Sequence, residues 1–267
     1  MTHGTPFFIQ LRREIAQRGG IFNAHLHLDR SGTLEETQAL IGDEGMSHLS
    51  LTKKHGLIPL IHASDVYDVS SLGRRVGYFL DLMEQAGTTR ADTLVDVTAD
   101  RVGLTALQKF LELKHERRDR FDLRVGAYTP MGFMDAEPER WEVFAEGARL
   151  GDFIASLPER DDQALYPDCI GFAENCRRML RLSHELGKPA HIHVDQKNDP
   201  AEDHTEIVIG LIDELGRGGL RLDQDPPRPR RGRGRQRART ARLSEPIRSG
   251  KAPGSDQSYP YRSKSRA

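Results

Sequence analysis

The chain has 267 residues, a formal net charge of −1 and two cysteines, Cys169 and Cys176. Two cysteines are too few for a disulfide framework, no leader-like segment opens the chain, and no apolar run approaches the ~18 residues of a membrane helix. The composition therefore disfavours secreted and membrane proteins and predicts a cytoplasmic protein with room for one large domain or two modest ones.

Apolar residues at helical spacing alternate along the first 216 residues with short runs typical of buried strands. A first helix is predicted over residues 6–18, ended by Gly19-Gly20, and a first strand over residues 21–29. Four further strands are predicted at residues 92–100, 121–130, 152–158 and 189–195, and apolar helix faces at residues 72–83, 104–111, 141–150, 176–186 and 207–215. Strands that alternate with helices are typical of a parallel α/β sheet with right-handed crossovers.

This pattern stops after Gly216. Residues 217–267 hold 13 Arg and 2 Lys against 4 acidic residues, together with 6 Pro and 6 Gly and no apolar period. Such a composition cannot support a packed core, so we predict a folded domain of residues 1–216 and a disordered basic tail of residues 217–267. Clustered arginines supply the charge that phosphate contacts require, and nucleic-acid binding through the tail is therefore an alternative function.

Two histidine pairs carry the chemistry of the folded part. His25 and His27 stand two residues apart on the first predicted strand, so both imidazoles point to one face, and Asp29 continues that face. His191 and His193 repeat the spacing on the fifth strand. Parallel barrels place their functional groups at the carboxyl ends of the strands, where His25, His27 and His193 would converge on one metal ion.

The order of these motifs resembles a known family. NAHLHLDR, at residues 23–30, is similar to the first-strand H-x-H motif of the amidohydrolase superfamily, and HVDQ, at residues 193–196, resembles the fifth-strand H-x-D-E motif of cytosine deaminases. ADTLVDVTAD, LTALQKFLELK and RLGDFIASLPERDD also resemble the cytosine-deaminase pattern in order and spacing. The resemblance covers residues 22–216 and implies a partial (β/α)8 TIM-type barrel of about five βα units that hydrolyses C–N bonds in small cyclic amides or amidines.

The resemblance also implies roles for individual residues. His25, His27 and His193 would be ligands of one divalent metal ion, zinc or iron. Asp195 and Gln196 would lie beside the reacting atoms, although Gln196 stands where the family has Glu, and an amide cannot carry a proton as a carboxylate does. This departure places deamination of cytosine itself in doubt and leaves another hydrolysis open.

Two further sets of expectations concern the pocket and the chain as a whole. His62 follows the apolar run IPLI and is a candidate for the pocket mouth, together with Asp29 and His191.

The family draws another His from its sixth strand and an Asp from its eighth, and residues 217–267 contain no His. The composition change near Arg217 is what a shifted reading frame in a GC-rich gene produces, so a non-functional truncated product is a second alternative. The expected partners are a small-molecule substrate and further copies of the same chain.

Overall fold

The computed structural model describes residues 5–41, 49–196 and 199–218. Within them, five parallel strands lie side by side in chain order. They are β1 (Ile21–Leu26), β2 (Thr88–Asp96), β3 (Asp122–Thr129), β4 (Phe153–Ser156) and β5 (Ala190–Ile192). The sheet curls into a half-barrel, so that His25 on β1 and His193, directly after β5, meet on the concave face. The predicted partial barrel of about five parallel βα units is therefore confirmed.

Eight helices accompany the strands in the described residues. They are α1 (Pro6–Gln17), α2 (Leu34–Ile41), α3 (Leu51–Ala63), α4 (Val69–Ala86), α5 (Thr105–Arg117), α6 (Glu139–Leu150), α7 (Phe172–Leu186) and α8 (His204–Arg217). The sequence predicted six of them and missed α2 and α3. The repeat of apolar residues is weak in α3, which also contains Pro59, a residue that normally ends a helix. None of the described helices has the length and apolar character that crossing a bilayer requires.

The main core lies between the convex face of the sheet and the helices. Side chains that alternate along β2 and β3, including Val95 and Val125, pack in one cluster with Leu80 of α4, Phe110 of α5 and Phe144 of α6. All five side chains are fully buried. The apolar residues that recur every two positions in the strands and at helical spacing in α4 and α5 are thus the buried ones, as the sequence predicted.

A second, smaller layer fills the concave face. Its buried apolar members are Leu94, Tyr128, Phe153, Ala155 and Leu157. Gly126 on β3 leaves the space that the Phe153 ring occupies, since a Cβ at this position would lie within 3.0 Å of three ring atoms. The half-barrel is therefore packed below its carboxyl edge, as closed barrels are.

Three strands, β1, β2 and β5, differ most from their predicted ranges. β1 ends at Leu26, where the chain turns into a 3-10 turn over Leu28–Arg30. β2 spans Thr88–Asp96 rather than residues 92–100, because Gly87 ends α4 in a left-handed conformation and the polar start of the strand pairs directly with β1. β5 covers only Ala190–Ile192. The predicted tail lies, from residue 219 onward, outside the described residues.

Candidate metal centre

Three imidazoles converge on the concave face at the carboxyl ends of β1 and β5. His25 lies on β1, His27 follows it, and His193 follows β5. Nε2 of His25 is 3.1 Å from Nε2 of His193, and one nitrogen from each of the three rings lies within 4.8 Å of the others. The structure therefore brings together the three residues that the sequence nominated as ligands. Their role as ligands stays a prediction.

The ring orientations suit a metal ion. His193 donates its Nδ1 hydrogen to the carbonyl oxygen of Ser156 at 3.1 Å, which leaves the lone pair of Nε2 directed toward His25. Two nitrogens on a tetrahedral zinc ion stand about 3.3 Å apart, close to the observed separation. Nδ1 of His27 is buried and has no hydrogen-bond partner among the described residues. A cation between His25 and His193 would be bound by the Nε2 lone pairs of both rings.

Burial keeps His27 and His193 neutral. Burial, with the neighbouring Arg30 guanidinium, lowers the pKa of His27 to about 3. Burial also lowers the pKa of His193 to about 4, against the opposing effect of the hydrogen bond to Ser156. At neutral pH both rings therefore hold a free lone pair, which is the form that binds a metal ion.

Asp29 lies away from this centre. Because β1 ends at Leu26, Asp29 leaves the face that His25 and His27 share, which corrects the expectation that it continues that face. Its carboxylate is buried, accepts the backbone N–H of Asp96 at 2.9 Å and lies 3.1 Å from the Tyr67 hydroxyl. Burial and the charge of Asp96 raise the pKa of Asp29 to about 7. Its observed contacts hold the turn after β1 against β2.

His62 is also part of this buried network. Its Nδ1 lies 2.6 Å from Oδ2 of Asp100 and its Nε2 lies 3.0 Å from Oδ2 of Asp96. The side chain is 1% exposed, so it does not line an open pocket mouth. Asp96 also accepts a bidentate ion pair from Arg30, with Nη2 to Oδ1 at 2.6 Å, and the Arg30 guanidinium lies over the ring of Tyr128.

His191 shares the concave face without joining the group of His25, His27 and His193. Its ring stacks on Phe153 with centroids 4.4 Å apart and lies parallel to the His25 ring at 6.1 Å. Burial lowers its pKa. His191 therefore lines the three-histidine group from the side of Phe153.

The segment after His193 is held by two carboxylates. Asp195 has a left-handed backbone (φ 54°) and accepts the backbone N–H groups of His204 and Thr205, at 3.0 and 3.2 Å, and the Thr205 hydroxyl. The backbone N–H of Gln196 donates to Oε1 of Glu159 at 3.1 Å. Asp195, predicted to be catalytic, is thus committed to the start of α8, and Gln196 is fixed through its backbone.

Comparisons with known proteins place this geometry in a structural class. No family profile matches the sequence. An uncharacterized protein of Haemophilus influenzae is 29% identical over 222 residues, which cover 82% of this chain and 74% of that protein. The 5-methylcytosine deaminase of Klebsiella pneumoniae superimposes with a TM-score of 0.61 at 21% identity, over 75% of this chain and 45% of the deaminase. N-isopropylammelide isopropylaminohydrolase of Burkholderia multivorans gives a TM-score of 0.52 at 17% identity, over 74% and 46%.

The chain shares the fold of the matched part of these two enzymes, a curled parallel α/β sheet with alternating helices. It spans less than half the length of the two solved enzymes. At these identities the likeness establishes the fold alone. The half-barrel carries its three histidines at the carboxyl edge of the sheet, as the motif order predicted.

Sequence reasoning missed several residues around the centre. Tyr128 packs edge-on against His27 and lies 5.2 Å, between ring centroids, from His193. Its position on the concave face of β3 could have been found from the two-residue alternation with Gly126. Glu159 and His204 carry no spacing signal, since the fold brings them together from segments 45 residues apart.

Proposed function

We propose that this protein is a metal-dependent hydrolase of C–N bonds in small cyclic amides or amidines. The observation that carries the proposal is the convergence of His25, His27 and His193 at the carboxyl edge of a parallel half-barrel. The structural neighbours support it, because a 5-methylcytosine deaminase and an N-isopropylammelide isopropylaminohydrolase are named for nitrogen-rich ring substrates.

The residues of this chain have distinct tasks in this proposal. His25, His27 and His193 would hold one divalent ion, zinc or iron, which activates water at neutral pH when bound. The hydrogen bond from His193 to Ser156 keeps the ring in the ligand orientation. The Gln196 side chain can donate and accept hydrogen bonds, so it would orient the amide edge of a ring without carrying a proton.

Metal content tests the site. We expect His25→Ala and His193→Ala each to remove one tightly bound zinc or iron ion per chain, since three ligands share one ion. His184→Ala is the matched control, because His184 is exposed and lies outside the three-histidine group. Elemental analysis of the purified variants gives the answer. Equal metal content in all three variants would contradict the assignment of the metal site.

Activity tests the reaction class with the same samples. Metal-loaded protein is assayed for ammonia release from aminopyrimidines and amino-triazines and, by chromatography, for ring opening of cyclic amides and amidines. We expect turnover that falls in parallel with metal content in His25→Ala. A fully loaded protein without turnover on the whole panel would contradict the hydrolase assignment while leaving the metal site intact.

A further inference from the structure

A second group of ligand-type side chains lies beside the segment that follows His193. We propose that Glu159, Glu202 and His204 form a second metal site, which binds a divalent transition-metal ion of the Zn²⁺ or Mn²⁺ class. This site shares no residue with His25, His27 and His193. It therefore does not rest on the proposed function.

The fold draws the three side chains from two segments. Glu159 belongs to the 3-10 turn after β4, over Pro158–Asp161. His204 is the first residue of α8, and Glu202 lies two residues before it. One ligand atom from each lies within 4.8 Å of the others. Oε1 of Glu159 is 3.2 Å from Nδ1 of His204, close to the separation of about 3.3 Å between two ligands of a tetrahedral ion.

The carboxylate of Glu159 gives the independent evidence. The side chain is 4% exposed, and its Oε2 is buried without a hydrogen-bond partner among the described residues. Oε1 has two neighbours, the Gln196 backbone N–H and His204 Nδ1. A buried carboxylate oxygen without a partner is costly, and an ion pair with His204 through Oε1 leaves that cost in place. A cation that binds both oxygens of the Glu159 carboxylate removes it.

The surroundings suit a transition metal. Two carboxylates and one imidazole form a mixed oxygen and nitrogen ligand set, which zinc and manganese accept and which balances the charge of a divalent ion. The His204 ring stacks on Phe172, with centroids 4.4 Å apart and planes inclined by 20°, so the orientation of the ring is fixed. The His204 ring is therefore held in place before a metal ion arrives.

Metal stoichiometry tests this site separately from the first. The full chain is freed of metal with a chelator, incubated with Zn²⁺ or Mn²⁺ and passed through a desalting column before elemental analysis. We expect two ions in the wild type, one in His25→Ala/His193→Ala and one in Glu202→Gln/His204→Gln. His184→Gln, the matched control, should keep two. Glu202→Gln alone preserves shape and provides the measurement if the double variant fails to fold.

A second readout uses stability. In the His25→Ala/His193→Ala background, added Zn²⁺ should raise the thermal midpoint, and adding Glu202→Gln should abolish that rise. The proposal is overturned if the wild type and Glu202→Gln/His204→Gln bind the same number of ions, or if His25→Ala/His193→Ala binds none. A single ion that persists in His25→Ala/His193→Ala and disappears with Glu202→Gln would support this site and contradict the first.

Discussion

His62 shows how a buried side chain is charged by its partners. Burial disfavours the imidazolium, but the hydrogen bonds to Asp100 and Asp96 outweigh that effect and raise the pKa to about 9. Arg30 and the Tyr67 hydroxyl also contact Asp96, and Arg101 donates to the His62 carbonyl oxygen. At neutral pH the ring is therefore a cation between two carboxylates.

The sign of this shift gives a pH dependence. Because the folded pKa lies above the ordinary 6.5, protonation of His62 stabilises the fold fully below pH 6.5, and the effect is lost as the pH rises to about 9. We expect His62→Gln to lower the free energy of unfolding by about 3–5 kcal/mol near pH 6, as loss of one partner of a buried pair does. Urea unfolding near pH 6 and above pH 9 measures it.

The control for His62→Gln is the exposed His184→Gln, which should change stability little at either pH. The difference in the free energy of unfolding between wild type and His62→Gln should become smaller above pH 9. A difference that stays constant with pH would show that His62 acts through packing and hydrogen bonds without its charge.

For single residues, the sequence predicted well which side chains share a strand face. The H-x-H spacing places His25 and His27 on one strand face because the side-chain period of a strand is two. Asp29, His62 and His191 could not be assigned in the same way, since their partners come from distant segments. Asp29 meets Asp96 across 67 residues, and His62 meets Asp100 across 38.

At the scale of elements, β3 and β4 depend on a glycine. Gly126 faces Phe153 across the strand pair, and a methyl group there would overlap the ring. We expect Gly126→Ala to destabilise the fold by about 1–3 kcal/mol, the usual cost of overpacking a core. Denaturant unfolding of the purified variant measures the loss, and Phe153→Leu in the same chain should restore part of it.

Gly210→Ala is the matched control for this substitution. Gly210 lies within α8 with no atom within 4 Å of the added methyl group, so alanine should be neutral or stabilise by up to about 1 kcal/mol through its helix propensity. Equal effects at Gly126 and Gly210 would mean that the concave layer is loosely packed.

Element order was predictable because apolar periodicity reports which face is buried. All five strands and six of eight described helices follow from it. Boundaries were less predictable, because hydrogen-bond pairing carries β2 into the polar residues from Thr88, where periodicity gives no signal. In α3, Ser50 caps the first turn by accepting the Lys53 backbone N–H, and tertiary packing sustains the helix in spite of Pro59.

In the described part of the chain, α1 and β1 carry exposed apolar side chains. α1 has no buried residue, and Phe7, Phe8 and Ile9 are 66%, 55% and 63% exposed. Phe22 on β1 is also exposed. In the described part of the chain, β1 and β5 each pair with one neighbouring strand. An edge strand with unpaired backbone groups beside exposed apolar side chains is a template for association.

We therefore expect the 267-residue chain to self-associate at micromolar concentration, because covering apolar surface is worth about 25 cal/mol per Å². Sedimentation velocity should show a sedimentation coefficient that rises with concentration, and Phe7→Ser/Phe8→Ser should lower it toward that of a monomer. Leu150→Ser is the control, since Leu150 is similarly exposed on α6 but lies far along the chain from α1 and β1. Hydrogen exchange adds a local measure, because association through the sheet edge should slow exchange in β1. A monodisperse monomer at all concentrations, with slow exchange in β1 and β5, would show that these edges are stable without a partner.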